Sequence, residues 1–188
     1  MSTVKHDGKL IQTHPWHNED FEKTWGFLDC ADKVIVDIGA DYGSTPYFFL
    51  QKRAKRVIAI ESFQLDYDAL AAYAEQEPRV IAIFKHVSNA KDYKDLIICF
   101  QPDIMKIDCE GCEAYLLDLD DRWFAQVPEY AIELHNLANA KQCGNPHNWG
   151  NDLRPPFEEK FKRCGYENRV DYLGGTWVIW ARKKPKCT

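Results

Sequence analysis

The chain has 188 residues, of which 45% are hydrophobic and 13% aromatic, enough for one domain with a buried core. Its 24 basic and 29 acidic residues give a net charge of -5, so nucleic acid is not an expected partner. No segment has the roughly 20 consecutive apolar residues that cross a bilayer, and the N-terminus lacks the apolar core of a secretory signal. We therefore expect a cytoplasmic protein that contacts no membrane.

The first part of the chain mixes polar residues with histidine and tryptophan and shows no regular period. We interpret residues 1–30 as an N-terminal arm or lid that includes one short helix near Glu19–Leu28. Its His14, Trp16 and His17 would close over a substrate, or else lie at the surface.

An alternation of strands and helices begins at Val34. The run VIVDI predicts a strand buried on both faces, because it is continuously apolar and rich in β-branched residues up to its aspartate. Gly39 and Gly43 follow as turn residues, and Ser44 with Pro46 is typical of a helix start. Further strands are predicted at 56–60, 79–84, 103–108 and 129–135, and helices at 44–54, 66–77 and 112–121. This alternation predicts a doubly wound α/β sheet with right-handed crossovers.

The pattern changes after the fifth of these strands. Residues 136–156 are a polar segment longer than a connection requires, which is typical of a lid, a binding loop or disorder. Its His147 and Trp149 are further candidates to close over a substrate. Residues 157–188 are expected to form a helix closed by Gly165 and two strands joined as a hairpin.

The glycine turn and the next strand suggest an adenosine-containing ligand. The segment GADYG lacks the full G-x-G-x-x-G spacing, which argues against a pyrophosphate site and an NAD-dependent dehydrogenase. Glu61 follows Gly39 by 22 residues, at the carboxyl end of the next strand, where a carboxylate binds ribose hydroxyls. The pair points to S-adenosylmethionine. The alternative is a plain turn and a solvated charge.

Three segments resemble the FkbM family of class I S-adenosylmethionine-dependent methyltransferases. They are VIVDIGADYGSTPYFFLQKRAKRVIAIES, IMKIDCEGCEAYLL and AIELH, which occur in the family's order and together span about 100 residues, 34–135. The resemblance implies a Rossmann-like seven-stranded sheet with order 3-2-1-4-5-7-6, an antiparallel last strand and helices on both faces. It also implies one methyltransferase domain, 1–188, that consists of the arm 1–30, a cofactor-binding core 31–135, the loop 136–156 and the C-terminal part 157–188.

The resemblance further implies a set of cofactor contacts. The methionine end of the cofactor would lie against Asp37, Gly39, Ala40 and Gly43. Glu61 would hold the ribose, and the adenine would contact Ser62, Phe63, Ser88 and Asn89. The Ser62-Phe63 pair replaces the proline-containing turn that is usual in the family.

Acidic side chains follow two further strands of the implied sheet. Asp108 and Glu110 end one strand, and Glu133 and His135 end the next, so we expect them at one edge. Transfer of a methyl group to a hydroxyl requires alignment and removal of a proton, with His135 or Asp108 as the base. The alternatives are a bound Mg²⁺ or Mn²⁺, or acids that stabilise the first turn of a helix.

The seven cysteines form an odd, scattered set, which favours mostly free thiols in a reducing compartment. Cys109 and Cys112 form a single C-x-x-C. A zinc site completed by Cys143 and His147 is less favoured, because a second pair at zinc-finger spacing is missing. A thioredoxin-like role is disfavoured too, because the motif follows the fourth strand. We assign no metal ligands from the sequence.

The preferred function is O-methylation of a hydroxyl on a small molecule or sugar. The alternatives are an RNA or protein methyltransferase and a non-catalytic adenosyl-binding module. The segment IDCEG differs from the Asn/Asp-Pro-Pro-aromatic turn of enzymes that methylate amines of nucleic acids. The sequence predicts no oligomeric state.

Overall fold

The structure, a computed structural model, describes residues 20–135, 152–173 and 176–184, together with the backbone of 2–6 and 9–13. The chain separates into two compact units, Met1–His86 and Val87–Thr188. The residues expected to close over a substrate lie outside the described part of the chain: His14, Trp16, His17, His147 and Trp149.

The first unit begins with a hairpin and continues with alternating strands and helices. Its elements are β1 (Ser2–His6), β2 (Lys9–Thr13), α1 (Phe21–Thr24), β3 (Val34–Ile38), α2 (Ser44–Gln51), β4 (Arg56–Glu61), α3 (Gln64–Ala74) and β5 (Val80–Phe84). Strands β3, β4 and β5 are parallel, with Val36 opposite Ile58 and Ile58 opposite Ile81. Ile35, Val36 and Ile58 are wholly buried, as expected for strands covered on both faces.

The second unit continues the alternation and ends in antiparallel strands. Its elements are α4 (Ala90–Phe100), β6 (Ile104–Ile107), a 3₁₀ helix (Cys112–Asp118), α5 (Asp121–Phe124), β7 (Glu129–Leu134), α6 (Arg154–Arg163), β8 (Tyr166–Leu173) and β9 (Thr176–Lys183). Phe124, Tyr130 and Phe161 are wholly buried against one another, with the first two rings stacked 4.7 Å apart. Each such ring contributes about 1.5–3 kcal/mol by burial.

The strands form a seven-stranded sheet with the order β5-β4-β3-β6-β7-β9-β8. Strands β6 and β7 are parallel, whereas β9 is antiparallel to both β7 and β8. Counted with β3 as the first strand, this is the predicted order 3-2-1-4-5-7-6. The predicted Rossmann-like α/β fold and its antiparallel last strand are likewise confirmed.

Helix α4 was not predicted. It begins after Asn89, whose side chain accepts a hydrogen bond from the backbone N–H of Asp92 at 3.1 Å. Tyr93, Leu96 and Ile97 are buried at helical spacing. A capping asparagine followed by this spacing is a helix signal that the sequence analysis overlooked.

The helix predicted at 112–121 is two helices. The 3₁₀ helix ends before Leu119, whose ψ of 131° is extended. The carboxylate of Asp120 then accepts a hydrogen bond from the backbone N–H of Arg122 at 2.8 Å and begins α5. A local cap competes with helix continuation here, so the hydrophobic pattern alone gave the wrong boundaries.

The N-terminal segment also differs from the prediction. Residues 2–6 and 9–13 pair as β1 and β2, two strands that were not predicted, and the helix expected near Glu19–Leu28 is confined to Phe21–Thr24. Helix α2 ends at Gln51 rather than at Ala54. No helix in the described ranges is both long and apolar enough to cross a membrane.

Candidate functional site

The turn between β3 and α2 has a left-handed backbone at three positions. Gly39, Asp41 and Gly43 have φ values of 78°, 53° and 95°. A side chain at Gly43 would be strained by this φ, and its Cβ would lie only 3.0 Å from Cδ1 of Tyr73. The turn therefore requires glycine at this position, as the sequence pattern predicted.

Two side-chain contacts fix the turn to its own unit. Asp37 is wholly buried, and one carboxylate oxygen accepts a hydrogen bond from the hydroxyl of Thr45 at 2.6 Å. The pKa of Tyr42 is raised to about 12, mainly by burial and secondly by a hydrogen bond to Asp66. Tyr42 thus keeps its proton and links the turn to α3 at neutral pH. Ala40 is wholly buried within the turn.

Glu61 ends β4 and is held by backbone amides. Its Oε1 accepts hydrogen bonds from the N–H groups of Ser62 and Phe63 at 2.6 and 2.8 Å. Its Oε2 accepts the N–H of Asp41 at 3.0 Å. A carboxylate has about four lone-pair sites, so these three bonds orient Glu61 and leave capacity for a hydroxyl donor.

Exposed aromatic rings lie at the carboxyl ends of β4 and β5. The side chain of Phe63 is 62% exposed, and that of Phe84 is 49% exposed. Phe84 lies opposite Glu61 in the β4–β5 register, with its ring 5.1 Å from that of Tyr67. The sequence analysis missed Phe84, although its position as the last residue of RVIAIF places it at the carboxyl end of a strand.

Ser88 and Asn89, predicted to edge the adenine ring, lie in the second unit at the start of α4. Asn89 caps this helix, and the backbone N–H of Ser88 donates to Oδ2 of Asp92 at 2.9 Å. Both residues therefore have a structural role in the second unit, whatever else they bind.

The structure brings together the four residues predicted at the ends of β6 and β7. Nε2 of His135 lies 3.6 Å from Oδ1 of Asp108, 3.5 Å from Oε1 of Glu110 and 3.6 Å from Oε1 of Glu133. We call Asp108, Glu110, Glu133 and His135 the acidic cluster. Wholly buried Lys106 adds a second cation, with Nζ 3.5 Å from Oδ2 of Asp108.

A further carboxylate, that of Glu113, anchors the backbone beside the acidic cluster. It is wholly buried, and its two oxygens accept the backbone N–H groups of Gly111 at 2.9 Å and of His135 at 2.8 Å. Nδ1 of His135 is 3.3 Å from Oε1 of Glu113, which is an ion-pair distance. None of the described residues is aligned to form a hydrogen bond with this nitrogen. The sequence signal for Glu113 was the second glutamate of DCEGCE.

This environment determines the charge of His135. Burial lowers the pKa of the imidazole, but the nearby carboxylates of Glu110, Glu113 and Asp108 outweigh burial and raise the pKa to about 11. At neutral pH His135 is therefore a cation, and both of its ring N–H groups are hydrogen-bond donors. A role as proton acceptor falls to one of the carboxylates.

Asp108, Glu133 and His135 also meet the geometric requirement for a metal ion. One ligand atom from each lies within 4.8 Å of the others. Two carboxylates and an imidazole fit Mn²⁺ well and Mg²⁺ less well. A metal would have to displace the proton of His135 from Nε2, so the cluster fits a cation only in competition with that proton.

Three of the five cysteines in the described ranges are free, in agreement with the expectation of mostly free thiols, and the other two are paired. Cys109 and Cys112 form a disulfide, whereas Cys30, Cys99 and Cys164 are free. The disulfide removes the two thiolates that a zinc site would need. Cys143 and His147, the other proposed zinc ligands, lie outside the described residues.

No protein-family model matches the sequence. The chain is 31% identical over 117 residues to uncharacterized protein 158B of Sulfolobus islandicus rod-shaped virus 1, a match that covers 62% of this chain and 70% of the viral protein. The chain belongs to the family of this viral protein. It is also 31% identical over 100 residues to uncharacterized protein 65 of Sulfolobus islandicus filamentous virus (isolate Iceland/Hveragerdi). That match covers 52% of this chain and 58% of the filamentous-virus protein.

Solved structures similar to this member of the 158B family are Rossmann-like methyltransferases. Fibrillarin of Methanococcus jannaschii, a pre-rRNA processing protein, matches 98% of this chain and 83% of its own, with a TM-score of 0.58 and 13% identity. Aeropyrum pernix fibrillarin with bound S-adenosyl-L-methionine matches 82% and 68%, with a TM-score of 0.56 and 14% identity. An O-methyltransferase family protein of Burkholderia thailandensis matches 82% and 52%, with a TM-score of 0.56 and 11% identity. At these identities the likeness establishes the fold alone.

Proposed function

We propose that this member of the 158B family is an S-adenosylmethionine-dependent methyltransferase of the FkbM type. The observation that carries the proposal is the arrangement of Glu61. Three backbone N–H groups orient its carboxylate beside a left-handed glycine turn, and about one lone-pair site remains for a ribose hydroxyl. This is the chemistry that an adenosine ribose requires at the end of a parallel strand.

The remaining cofactor contacts follow from the resemblance and from the exposed rings. Asp37, Gly39, Ala40 and Gly43 would line the methionine end. Phe63 and Phe84 would offer apolar surface to the adenine, because both rings are about half exposed or more. Ser62, Ser88 and Asn89 complete the proposed contacts at the adenine edge.

The proposed reaction is transfer of the methyl group to a hydroxyl of a small molecule or sugar. The hydroxyl oxygen forms a bond to the methyl carbon, and the carbon–sulfur bond breaks with its electron pair on sulfur, which leaves S-adenosylhomocysteine. Asp108 would take the hydroxyl proton, since its side chain is partly exposed and His135 is already protonated. The imidazolium would orient Asp108, Glu110 and Glu133.

A divalent cation is the alternative means of activating the hydroxyl. Asp108, Glu133 and His135 would hold Mg²⁺ or Mn²⁺, and the bound ion would lower the pKa of a coordinated hydroxyl. Transfer that is lost with a chelator and restored by Mn²⁺ would favour this mode. Transfer that is indifferent to a chelator would favour Asp108 as the base.

Two further functions remain alternatives within the proposal. Methylation of RNA or protein requires only a different acceptor, and a non-catalytic adenosyl-binding module would bind the cofactor without transfer. A cytoplasmic protein made of one methyltransferase domain is part of the same proposal. A screen of hydroxylated small molecules, RNA and protein with methyl-labelled cofactor separates these functions.

Calorimetry with S-adenosylmethionine, S-adenosylhomocysteine and NAD tests the cofactor assignment. We expect the two adenosyl compounds to bind and NAD not to bind. Glu61→Gln should weaken binding of S-adenosylhomocysteine at least ~10-fold, because it removes one acceptor and the charge. Glu75→Gln, an exposed glutamate of the same unit, is the control. No binding of either adenosyl compound, or unchanged binding by Glu61→Gln, contradicts the proposal.

A further inference from the structure

The Cys109–Cys112 disulfide encloses two residues with unusual backbone conformations. Glu110 and Gly111 have φ values of 57° and 120°. A left-handed glutamate is uncommon, costs about 1–3 kcal/mol, and persists only where its surroundings hold it there. The disulfide is a covalent constraint that holds this short loop.

The two sulfur atoms have different environments. Cys109 is partly exposed, whereas Cys112 is 2% exposed. The hydroxyl of Tyr93 donates a hydrogen bond to the carbonyl oxygen of Cys112 at 3.0 Å and lies 3.5 Å from its Sγ. An external thiolate therefore reaches Cys109 more easily, and the Tyr93 hydroxyl can turn from the carbonyl oxygen to a departing Cys112 sulfur.

We propose that this disulfide is a redox-active site that exchanges with an external dithiol at Cys109, and that its oxidation state sets the position of Glu110 beside His135. The exchange and the movement of Glu110 are independent of any methyltransferase activity. Any change in the rate of methyl transfer that follows from the movement of Glu110 rests on the proposed function.

The exchange balances as a two-electron reduction. A thiolate of the dithiol attacks Sγ of Cys109, a mixed disulfide forms, and the bond to Cys112 breaks with its electron pair on the Cys112 sulfur. The second thiol of the reductant then attacks the reductant's other sulfur, the one bonded to Cys109 in the mixed disulfide, and releases Cys109. The products are two cysteine thiols, after uptake of protons, and the oxidised dithiol as a cyclic disulfide.

Reduction removes the constraint on the enclosed residues and changes the surroundings of Oε2 of Glu113, which lies 3.7 Å from Sγ of Cys109. Glu113 continues to accept the N–H of His135, because that hydrogen bond does not involve the disulfide. Without that constraint Glu110, whose side chain is 69% exposed, can leave the left-handed region and its position 3.5 Å from Nε2 of His135. The acidic cluster thereby loses one carboxylate without loss of its anchor.

Two measurements on the whole chain test the exchange. In dithiothreitol buffers of graded potential, alkylation and peptide mapping should show Cys109 and Cys112 becoming reactive in one transition, while exposed Cys99 reacts throughout. With an aromatic disulfide probe, Cys112→Ser should form the mixed disulfide at Cys109 at least ~10-fold faster than Cys109→Ser forms it at Cys112. A chain without the disulfide before reduction, a disulfide that excess dithiothreitol does not open, or equal probe rates would overturn the proposal.

Hydrogen exchange tests the movement of the loop in the wild-type chain, and so needs no variant that might misfold. The amides of Glu110 and Gly111 should exchange at least ~10-fold faster after reduction, and those of β7 should not change. Equal exchange in both states overturns the link to Glu110. Calorimetry with S-adenosylhomocysteine on both states separates the two proposals: absent binding contradicts the methyltransferase, whereas absent thiol exchange contradicts the redox site.

Discussion

The backbone N–H of His135 donates a hydrogen bond of 2.8 Å to Oε1 of Glu113, 22 residues earlier in the chain. The other oxygen of Glu113 accepts the N–H of Gly111 at 2.9 Å. One buried carboxylate therefore fixes the loop after β6 to the end of β7. This relationship explains how Asp108 and Glu110, on the loop that Glu113 fixes, stay close to the imidazole of His135.

Replacement of Glu113 should be among the most destabilising changes in the second unit. Glu113→Ala leaves two buried N–H groups and the imidazolium without their carboxylate, which should lower the free energy of unfolding by about 3–5 kcal/mol. Glu113→Gln keeps an acceptor oxygen and should cost about half as much. Urea unfolding measures both, with Glu159→Gln, whose side chain is 80% exposed, as the control. A loss for Glu113→Ala no larger than the control's would contradict the anchoring role.

The raised pKa of His135 predicts how stability changes with pH. The group binds its proton more tightly in the folded state, so its contribution is fully present below the unfolded pKa, near 6.5, and is lost as pH rises toward about 11. Across this range the free energy of unfolding should fall by up to about 1.4 kcal/mol per pH unit. Urea unfolding from pH 6 to pH 10 measures the slope.

Two measurements isolate His135 within that slope. Asparagine at position 135 removes the titrating group, so His135→Asn should flatten the dependence. The imidazole signals in an NMR titration should show no transition near pH 6.5. A normal transition there would contradict the proton-donor role and return His135 as a candidate base.

The glycine turn after β3 and the strands were predictable because their signals are local. Continuous apolar runs such as VIVDI specify buried parallel strands, and the left-handed turn at Gly39 and Gly43 follows from glycine itself. Glu61 could be placed at a strand end by counting residues. No tertiary contact is needed for any of these inferences.

The missed features depend on contacts that are distant or on competing local caps. Nothing in the sequence shows that Glu113 folds back to His135, or that three carboxylates, those of Glu110, Glu113 and Asp108, raise the pKa of one imidazole. The pairing of Cys109 with Cys112 likewise requires a particular backbone between them. Asn89 was assigned to the adenine, and this obscured its role as the cap of α4.

Gly43 provides a test of the turn geometry. Gly43→Ala combines a left-handed φ with a Cβ only 3.0 Å from Tyr73, and should cost about 1–3 kcal/mol of stability. Gly165→Ala is a matched control, because its φ of 83° is similar but a Cβ there meets nothing within 4 Å. Thermal unfolding should show the larger loss for Gly43→Ala. Equal losses would mean that φ alone, and not contact with Tyr73, requires glycine.

Phe84 provides a test of the proposed adenine site, to which the sequence analysis did not assign it. Its ring is 49% exposed, so Phe84→Ala should change the free energy of unfolding little. Stacking of a base on an aromatic ring contributes about 1–3 kcal/mol, so the affinity for S-adenosylhomocysteine should fall about 5- to 150-fold. Tyr172→Ala removes a ring that is 60% exposed in the second unit and should leave the affinity unchanged. Calorimetry measures both variants, and equal affinities would show that the adenine does not lie on Phe84.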